Sequence, residues 1–113
     1  MTSQELITAI ADKLATKYEN QPSYNYNILY DEVEDAYNEI RAMRGYDNTS
    51  LSEDAIVDDL SRNYATKIKN LATIRFAKIG GDFESSHSEN GTSRTWMSEE
   101  DILGTIPAFV KVL

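Results

Sequence analysis

The chain has 113 residues, a formal net charge of −8 and no cysteine. Its length suits a single domain, its 41% hydrophobic content argues against disorder, and the lack of cysteine excludes disulfides and thiolate metal sites. The N-terminus shows no leader pattern, and no apolar run approaches the roughly 20 residues of a membrane span. We therefore expect one soluble domain, cytoplasmic where it is made and without membrane contact.

The negative charge is unevenly distributed along the chain. Residues 1–60 carry thirteen acidic and four basic side chains, a net of −9, whereas residues 61–113 carry six acidic and seven basic ones, a net of +1. An acidic chain repels the phosphates of nucleic acids, which disfavours general DNA binding. The asymmetry suits a head-to-tail contact between copies of the chain.

Helical periodicity begins at the N-terminus. Thr2 and Glu5 have the spacing of a capping box, and the apolar residues behind them predict a first helix over residues 3–18. Pro22 cannot continue that helix. Those apolar residues are Leu6, Ile7, Ile10, Ala11, Leu14 and Tyr18.

A second apolar stripe predicts a helix over residues 26–44, with Ser23, Asn25 or Asn27 as its N-cap and Gly45 as its C-cap. Three tyrosines lie on its apolar face. They fit either stacking on a ligand or an aromatic core whose hydroxyls reach the rim, and we favour the core. These tyrosines are Tyr26, Tyr30 and Tyr37.

The next stretch predicts one long third helix over residues 51–79. Ser50 and Glu53 have capping-box spacing at its start. At 1.5 Å per residue such a helix would be about 40 Å long. Beyond Tyr64 the helix is apolar on nearly every side, so it has to be buried on every side. Either the C-terminal tail folds back over it or another subunit covers it.

This helix is basic near its end, with five basic and no acidic residues from Arg62 to Lys78. Lys67, Arg75 and Lys78 fall inside or beside the apolar stripe, which makes them candidates for contact with phosphates or an acidic partner. Alternatively, their stems pack on apolar neighbours while their charges reach water or the acidic second helix. We favour this alternative.

Helical patterning ends at Gly80 and Gly81. Residues 80–97 are mostly small and polar and turn at Asn90-Gly91, which predicts a β-hairpin anchored by Phe83 and Trp96. Residues 98–113 form a tail that opens with a short helix or turn and continues as an apolar segment interrupted by Pro107. The tail segment could add a strand or lie in a groove.

The predicted fold is therefore mainly α: a three-helix bundle with a long third helix, a polar β-hairpin and a short C-terminal apolar tail. The whole chain, 1–113, forms a single helical domain. Residues 1–79 are a helical platform, residues 80–97 the hairpin and residues 98–113 the tail.

No recognisable catalytic cluster accompanies these elements. His87 is the one histidine and lies in a serine-rich arm without the rigid geometry that a catalytic triad requires. Gly80-Gly81 lacks the lysine of a phosphate-binding loop, and the acidic pairs lack the pattern of a calcium loop. We therefore predict that the chain is not an enzyme and has no cofactor or metal.

Three stretches of the C-terminal half carry a resemblance to a known family. They are RFAKIG at residues 75–80, ESSHSENGTSR at residues 84–94 and IPAFV at residues 106–110. In this order they resemble the head–tail connector (adaptor) proteins of long-tailed bacteriophages. The resemblance covers residues 51–113, and the first fifty residues match only in helical layout. Gly81-Asp82 departs from the Glu-Gly often found at the hairpin entry of that family.

The resemblance implies a non-enzymatic structural protein of the virion neck, made in the cytoplasm of a bacterial host. Such proteins form a homo-oligomeric ring of about a dozen copies. The ring docks on the portal protein, extends the DNA channel toward the tail and contacts a further neck or tail-completion protein. DNA passes through the channel without specific binding, and no membrane is involved.

The residues expected to bind partners lie in the hairpin and tail: Glu84, Ser86, Ser88, Asn90, Gly91, Ser93, Arg94, Trp96, Pro107, Phe109 and Val110. Lys67, Arg75 and Lys78 are possible contacts for phosphates or an acidic partner. The alternative function is that of a small acidic DNA-packaging accessory or regulatory protein that contacts nucleic acid or an acidic partner through the stretch from Arg62 to Lys78.

Overall fold

A computed structural model of the chain describes residues 1–21, 24–79 and 99–107. Within these residues the protein is mainly helical, as predicted, and has no strand. The α-helices are α1 (Ser3–Tyr18), α2 (Tyr26–Arg44), α3 (Glu53–Asn63), α4 (Ala65–Ile79) and α5 (Glu99–Leu103), and a short 3₁₀ helix spans Tyr46–Asn48. The predicted hairpin at residues 80–97 and the tail beyond Pro107 lie outside the described residues.

The first two helices confirm the predicted bounds because their caps are encoded locally. The Thr2 hydroxyl accepts a hydrogen bond from the Glu5 amide at 3.1 Å, and the Glu5 carboxylate accepts one from the Thr2 amide at 2.7 Å. Of the three candidate N-caps of α2, Asn25 is the one used. Gly45 ends α2 with φ 70° and ψ 33°, a left-handed conformation that glycine adopts without steric cost.

The prediction of one long third helix was wrong, since the chain bends at Tyr64 and forms α3 and α4 instead. Tyr64 has φ −128° and ψ 0°, outside helical geometry, and its side chain is buried at the bend. The predicted capping box at Ser50 was also wrong. Ser52 is the N-cap, and its hydroxyl accepts a hydrogen bond from the Ala55 amide at 3.2 Å.

The core surrounds α4, which contacts α1, α2, α3 and α5. Its residues Ile68, Leu71 and Ala72 are fully buried. On one flank they are covered by the described C-terminal part of the chain, which contributes Ile102 and Ile106 to the core. Of the two ways predicted to cover this apolar helix, folding back of the chain's own C-terminal part is the one observed for residues 99–107.

The tyrosines of α2 belong to the core and its rim, as we favoured from the sequence. Tyr37 is 1% exposed, and its hydroxyl lies 2.5 Å from the Ser3 hydroxyl. The Tyr26 hydroxyl donates to Asp12 at 2.8 Å, a hydrogen bond that raises the pKa of Tyr26 to about 12. None of the described helices is long and apolar enough to cross a membrane.

Candidate partner-binding site

The structure describes how both flanks of the predicted hairpin are held. α4 ends at Ile79 and α5 begins at Glu99. The Glu99 carboxylate accepts hydrogen bonds from Arg75 Nε and from Lys78 Nζ, both at 3.0 Å. The last turn of α4 and the first residue of α5 are therefore side by side.

Arg75 extends this ion-pair group to a third helix, because its second guanidinium branch donates to the carboxylate of Glu39 on α2. We call Glu39, Arg75, Lys78 and Glu99 the clasp. Arg75 is 19% exposed, which makes its two ion pairs stronger than typical surface pairs. The clasp joins α2, α4 and α5 at the end of α4 from which residues 80–98 depart.

Burial tends to raise the pKa of Glu99, because it disfavours the charged form. The hydrogen bonds from Lys78 and Arg75 outweigh this effect, and the pKa of Glu99 is lowered overall. The Glu99 carboxylate is therefore ionised at neutral pH.

A second contact holds the turn that follows α5. Lys67 Nζ donates to the Thr105 hydroxyl at 2.7 Å, close to the start of α4. All three basic residues singled out from the sequence thus face the chain's own C-terminal part, and Arg75 also reaches acidic α2. The contact of Arg75 with α2 agrees with the favoured alternative, whereas the contacts of Lys67 and Lys78 with the C-terminal part were not predicted. Contact of these residues with phosphates or an acidic partner stays a prediction.

The third attachment is a buried group that we call the Arg44 network: Arg44, Tyr46, Asp59, Tyr64 and Pro107. Arg44 is only 6% exposed, and its guanidinium donates to Asp59 at 2.8 Å, to the Pro107 carbonyl at 2.8 Å and to the Tyr46 hydroxyl at 3.1 Å. The Tyr46 hydroxyl in turn donates to Asp59. The guanidinium also lies 4.6 Å from the centroid of the Tyr64 ring.

Burial and hydrogen bonding shift the pKa values in this network in opposite directions. Burial tends to raise the pKa of Asp59, but hydrogen bonds from Tyr46, Arg44 and Asn63 outweigh it and lower the pKa overall. Burial and the hydrogen bond to Asp59 raise the pKa of Tyr46 to about 12. The network therefore holds a buried carboxylate, a buried guanidinium and a neutral phenol near pH 7.

Sequence reasoning missed the Arg44 network, although one signal pointed to it. Arg44 follows the buried Tyr37 and Ile40 at helical spacing and so occupies an apolar position of α2. An arginine at such a position has to find partners inside the protein. The sequence did not show that those partners are Asp59 and the carbonyl of Pro107.

Of the eleven predicted partner-binding residues in the hairpin and tail, the structure describes Pro107 alone, whose ring side is exposed while its carbonyl binds Arg44. The remaining ten residues lie outside the described residues: Glu84, Ser86, Ser88, Asn90, Gly91, Ser93, Arg94, Trp96, Phe109 and Val110. The structure does describe the residues that adjoin these segments in the chain.

The two predicted partner-binding segments leave the helical platform at opposite ends of α4. Residues 80–98 depart beside the clasp, whereas residues 108–113 continue from Pro107, which lies at the bend that precedes α4. α4 has 15 residues, so these two exits are separated by about 20 Å.

No group of three or more His, Asp or Glu side chains within residues 1–21, 24–79 and 99–107 is placed to hold a metal ion. Comparisons with family models, curated proteins and solved structures give no match to the chain.

Proposed function

We propose that the chain is a structural connector subunit of a bacteriophage neck. Its copies form a ring that docks on the portal protein and extends the DNA channel toward the tail. The observation that carries the proposal is the placement of the two exits at opposite ends of α4. A connector has to bind one component above it and another below it, and opposite exits supply a segment for each.

The clasp adds support from the ends of the polar segment. Lys78 and Glu99, which flank the predicted hairpin, are in contact, and the two ends of a hairpin have to lie close together in this way. A rigid base of this kind would let the segment meet a partner without disturbing the helices beneath it.

The charges of α4 favour the connector over the nucleic-acid alternative. Three of the four cations of α4 are engaged within the chain: Lys67 with Thr105, Arg75 with Glu39 and Lys78 with Glu99. The fourth, Lys69, has no ion-pair partner within the described residues. A phosphate would have to compete with the internal partners of the other three. An acidic surface, in contrast, suits a channel through which DNA slides without being held.

The test is to delete residues 84–95 from the full chain. We expect the circular dichroism of the helices to be unchanged, since the clasp is retained, and ring formation on added portal protein to be lost in negative-stain images. A control in which the same residues become a Gly/Ser segment of equal length separates the loss of sequence from the loss of length. A deletion variant that still forms rings on the portal would contradict the role of the predicted hairpin in assembly, and a wild-type chain that forms no ring on the portal would contradict the proposal.

A binding measurement with duplex DNA distinguishes the two candidate functions. The connector should show weak binding at physiological salt, with little difference between wild type and a Lys67→Ala/Lys78→Ala variant. Tight binding that falls steeply with salt and disappears in the variant would instead support the nucleic-acid alternative.

A further inference from the structure

The outer face of α2 forms an exposed stripe opposite its buried face. We call Ile28, Asp31, Asp35 and Asn38 the acidic ridge. All four residues are exposed, whereas the other side of the helix is buried against α1 and α4. Ile28 is 39% exposed, one of the largest apolar exposures among the described residues.

The two carboxylates of the acidic ridge have no ion-pair partner within the described residues. The charge of Asp35 acts on the neighbouring Glu32. Burial is the largest cause of the raised pKa of Glu32, and repulsion from Asp35 is the next largest. A cationic surface against the ridge would relieve this repulsion.

Such a surface exists between α1 and α4. A groove there is lined by Leu6, Ile10 and Ala65, with Lys13 from α1 and Lys69 from α4 beside them. We call these five residues the basic groove. Neither lysine has an ion-pair partner in the part of the chain that the structure describes.

The acidic ridge faces away from the helices that form the basic groove. The opposite side of α2 packs against α1 and α4, which carry the groove residues. The two surfaces cannot meet within one chain. Between two copies, however, an exposed helix face that carries one isoleucine can lie in a groove of the neighbouring copy, as in helix-in-groove recognition.

We infer that the acidic ridge of one copy binds in the basic groove of the next copy. Asp31 and Asp35 then face Lys13 and Lys69. Ile28 packs on the partly exposed Ala65 and on the exposed edges of Leu6 and Ile10, which are 3% and 6% exposed. The two contact surfaces are different, so the interface is head-to-tail and generates a ring when its rotation closes. Closure into a ring rests on the proposed connector function, whereas the contact itself does not.

Charge reversal tests the contact on the full chain without a portal. The ridge variant is Asp31→Lys/Asp35→Lys, and the groove variant is Lys13→Glu/Lys69→Glu. We expect wild-type self-association, followed by sedimentation velocity at low salt and high concentration, to weaken at least about tenfold in each variant alone. An equimolar mixture of the two variants should restore association, because each reversed surface then meets its complement.

Directed cross-linking supplies a second readout. The chain has no native cysteine, so a disulfide between Asp35→Cys and Lys69→Cys copies reports this contact alone. The control pair is Asp54→Cys with Lys69→Cys, since Asp54 is exposed on α3 and lies outside both surfaces. We expect the first pair to cross-link and the second not to.

The inference is overturned if the two reversed variants associate as wild type does, if their mixture gives no rescue, or if the first cysteine pair fails to cross-link. These outcomes differ from a failure of the proposed function. Copies that associate through this contact but do not bind a portal would contradict the connector function and leave the head-to-tail contact standing. Rings that still form on a portal when both surfaces are charge-reversed would contradict the head-to-tail contact and leave the connector function standing.

Discussion

The Arg44 guanidinium lies over the ring of Tyr64. Tyr64 is the single residue between α3 and α4. The same guanidinium pairs with Asp59 of α3 and holds the carbonyl of Pro107. One buried cation thus joins the end of α2, the bend between α3 and α4 and the start of the C-terminal tail.

Replacing this cation should cost far more stability than replacing an exposed one. We expect Arg44→Ala to lower the free energy of unfolding by about 3 kcal/mol, because the partly buried Asp59 loses its guanidinium partner and the Pro107 carbonyl loses its donor. The control is Arg62→Ala, whose side chain is 75% exposed and pairs with Asp58 one helical turn away, and whose loss should cost about 0.5 kcal/mol or less. Urea unfolding measures both, and equal costs would contradict the role assigned to the Arg44 network.

The clasp should control the local stability of α5. Glu99→Gln removes the carboxylate that Arg75 and Lys78 share, although Arg75 keeps Glu39. We therefore expect the amides of Gly104 and Ile106 to exchange hydrogen faster than in wild type. The neighbouring Glu100→Gln is the matched control, because the Glu100 side chain is exposed and has no ion pair within the described residues. Hydrogen exchange followed by NMR distinguishes the two variants, and identical protection would rule out the proposed clasp.

The ion pair of Glu53 with Arg41 should make stability depend on pH in acid. The hydrogen bond from Arg41 lowers the pKa of Glu53 from 4.5 to about 2, so the pair stabilises the fold above pH 4.5 and loses this effect as pH falls toward 2. The stability difference between wild type and Glu53→Gln should therefore be present at pH 6 and vanish near pH 2. We expect about 1 kcal/mol or less, since the carboxylate is 58% exposed.

Chemical denaturation at a series of pH values measures this difference. Glu34→Gln is the comparison variant, because Glu34 is exposed and forms no ion pair in the described parts of the chain. A difference between wild type and Glu53→Gln that grows as the pH falls would contradict the assignment.

α5 belongs to the folded core rather than to a loosely attached tail. Ile102 is 2% exposed, so Ile102→Ala should lower the free energy of unfolding by about 2–5 kcal/mol through the cavity that it leaves. Leu103→Ala serves as the comparison, since Leu103 is only partly buried and should cost less. If both variants unfold at the wild-type denaturant concentration, α5 contributes no core packing.

Local signals predicted α1 and α2 to the residue. The capping residues Thr2, Glu5 and Asn25 act on backbone groups within three positions, and Gly45 encodes its own left-handed turn. Such features depend only on residues that are close together in the chain, so they can be predicted from the sequence.

The bend at Tyr64 could not be predicted in this way. Residues 51–79 contain neither proline nor glycine, and their apolar spacing continues through the bend. What distinguishes Tyr64 is its contact with Arg44, twenty positions earlier in the chain. Tertiary contacts of this kind override local helix propensity, and a single sequence does not reveal them.

The same distinction between local signals and tertiary contacts applies to the candidate site. The sequence indicated where a polar segment and an apolar tail begin, and it identified Lys67, Arg75 and Lys78 as unusual cations. It did not indicate that Glu39 and Glu99 meet Arg75, because these carboxylates are 36 and 24 residues away from it. The exits at opposite ends of α4 follow only from the pairing of Glu99 with α4 and from the hydrogen bond of Arg44 with the Pro107 carbonyl.

The contact between Lys78 and Glu99 also bears on how the segment between them can change in length. Its two ends are fixed next to each other, so a longer segment costs only added loop-closure entropy, about 0.6 kcal/mol for each doubling. The helices should therefore tolerate insertion of a peptide tag or a small guest domain near Asn90. The length of the segment can thus change while the helical core stays as it is.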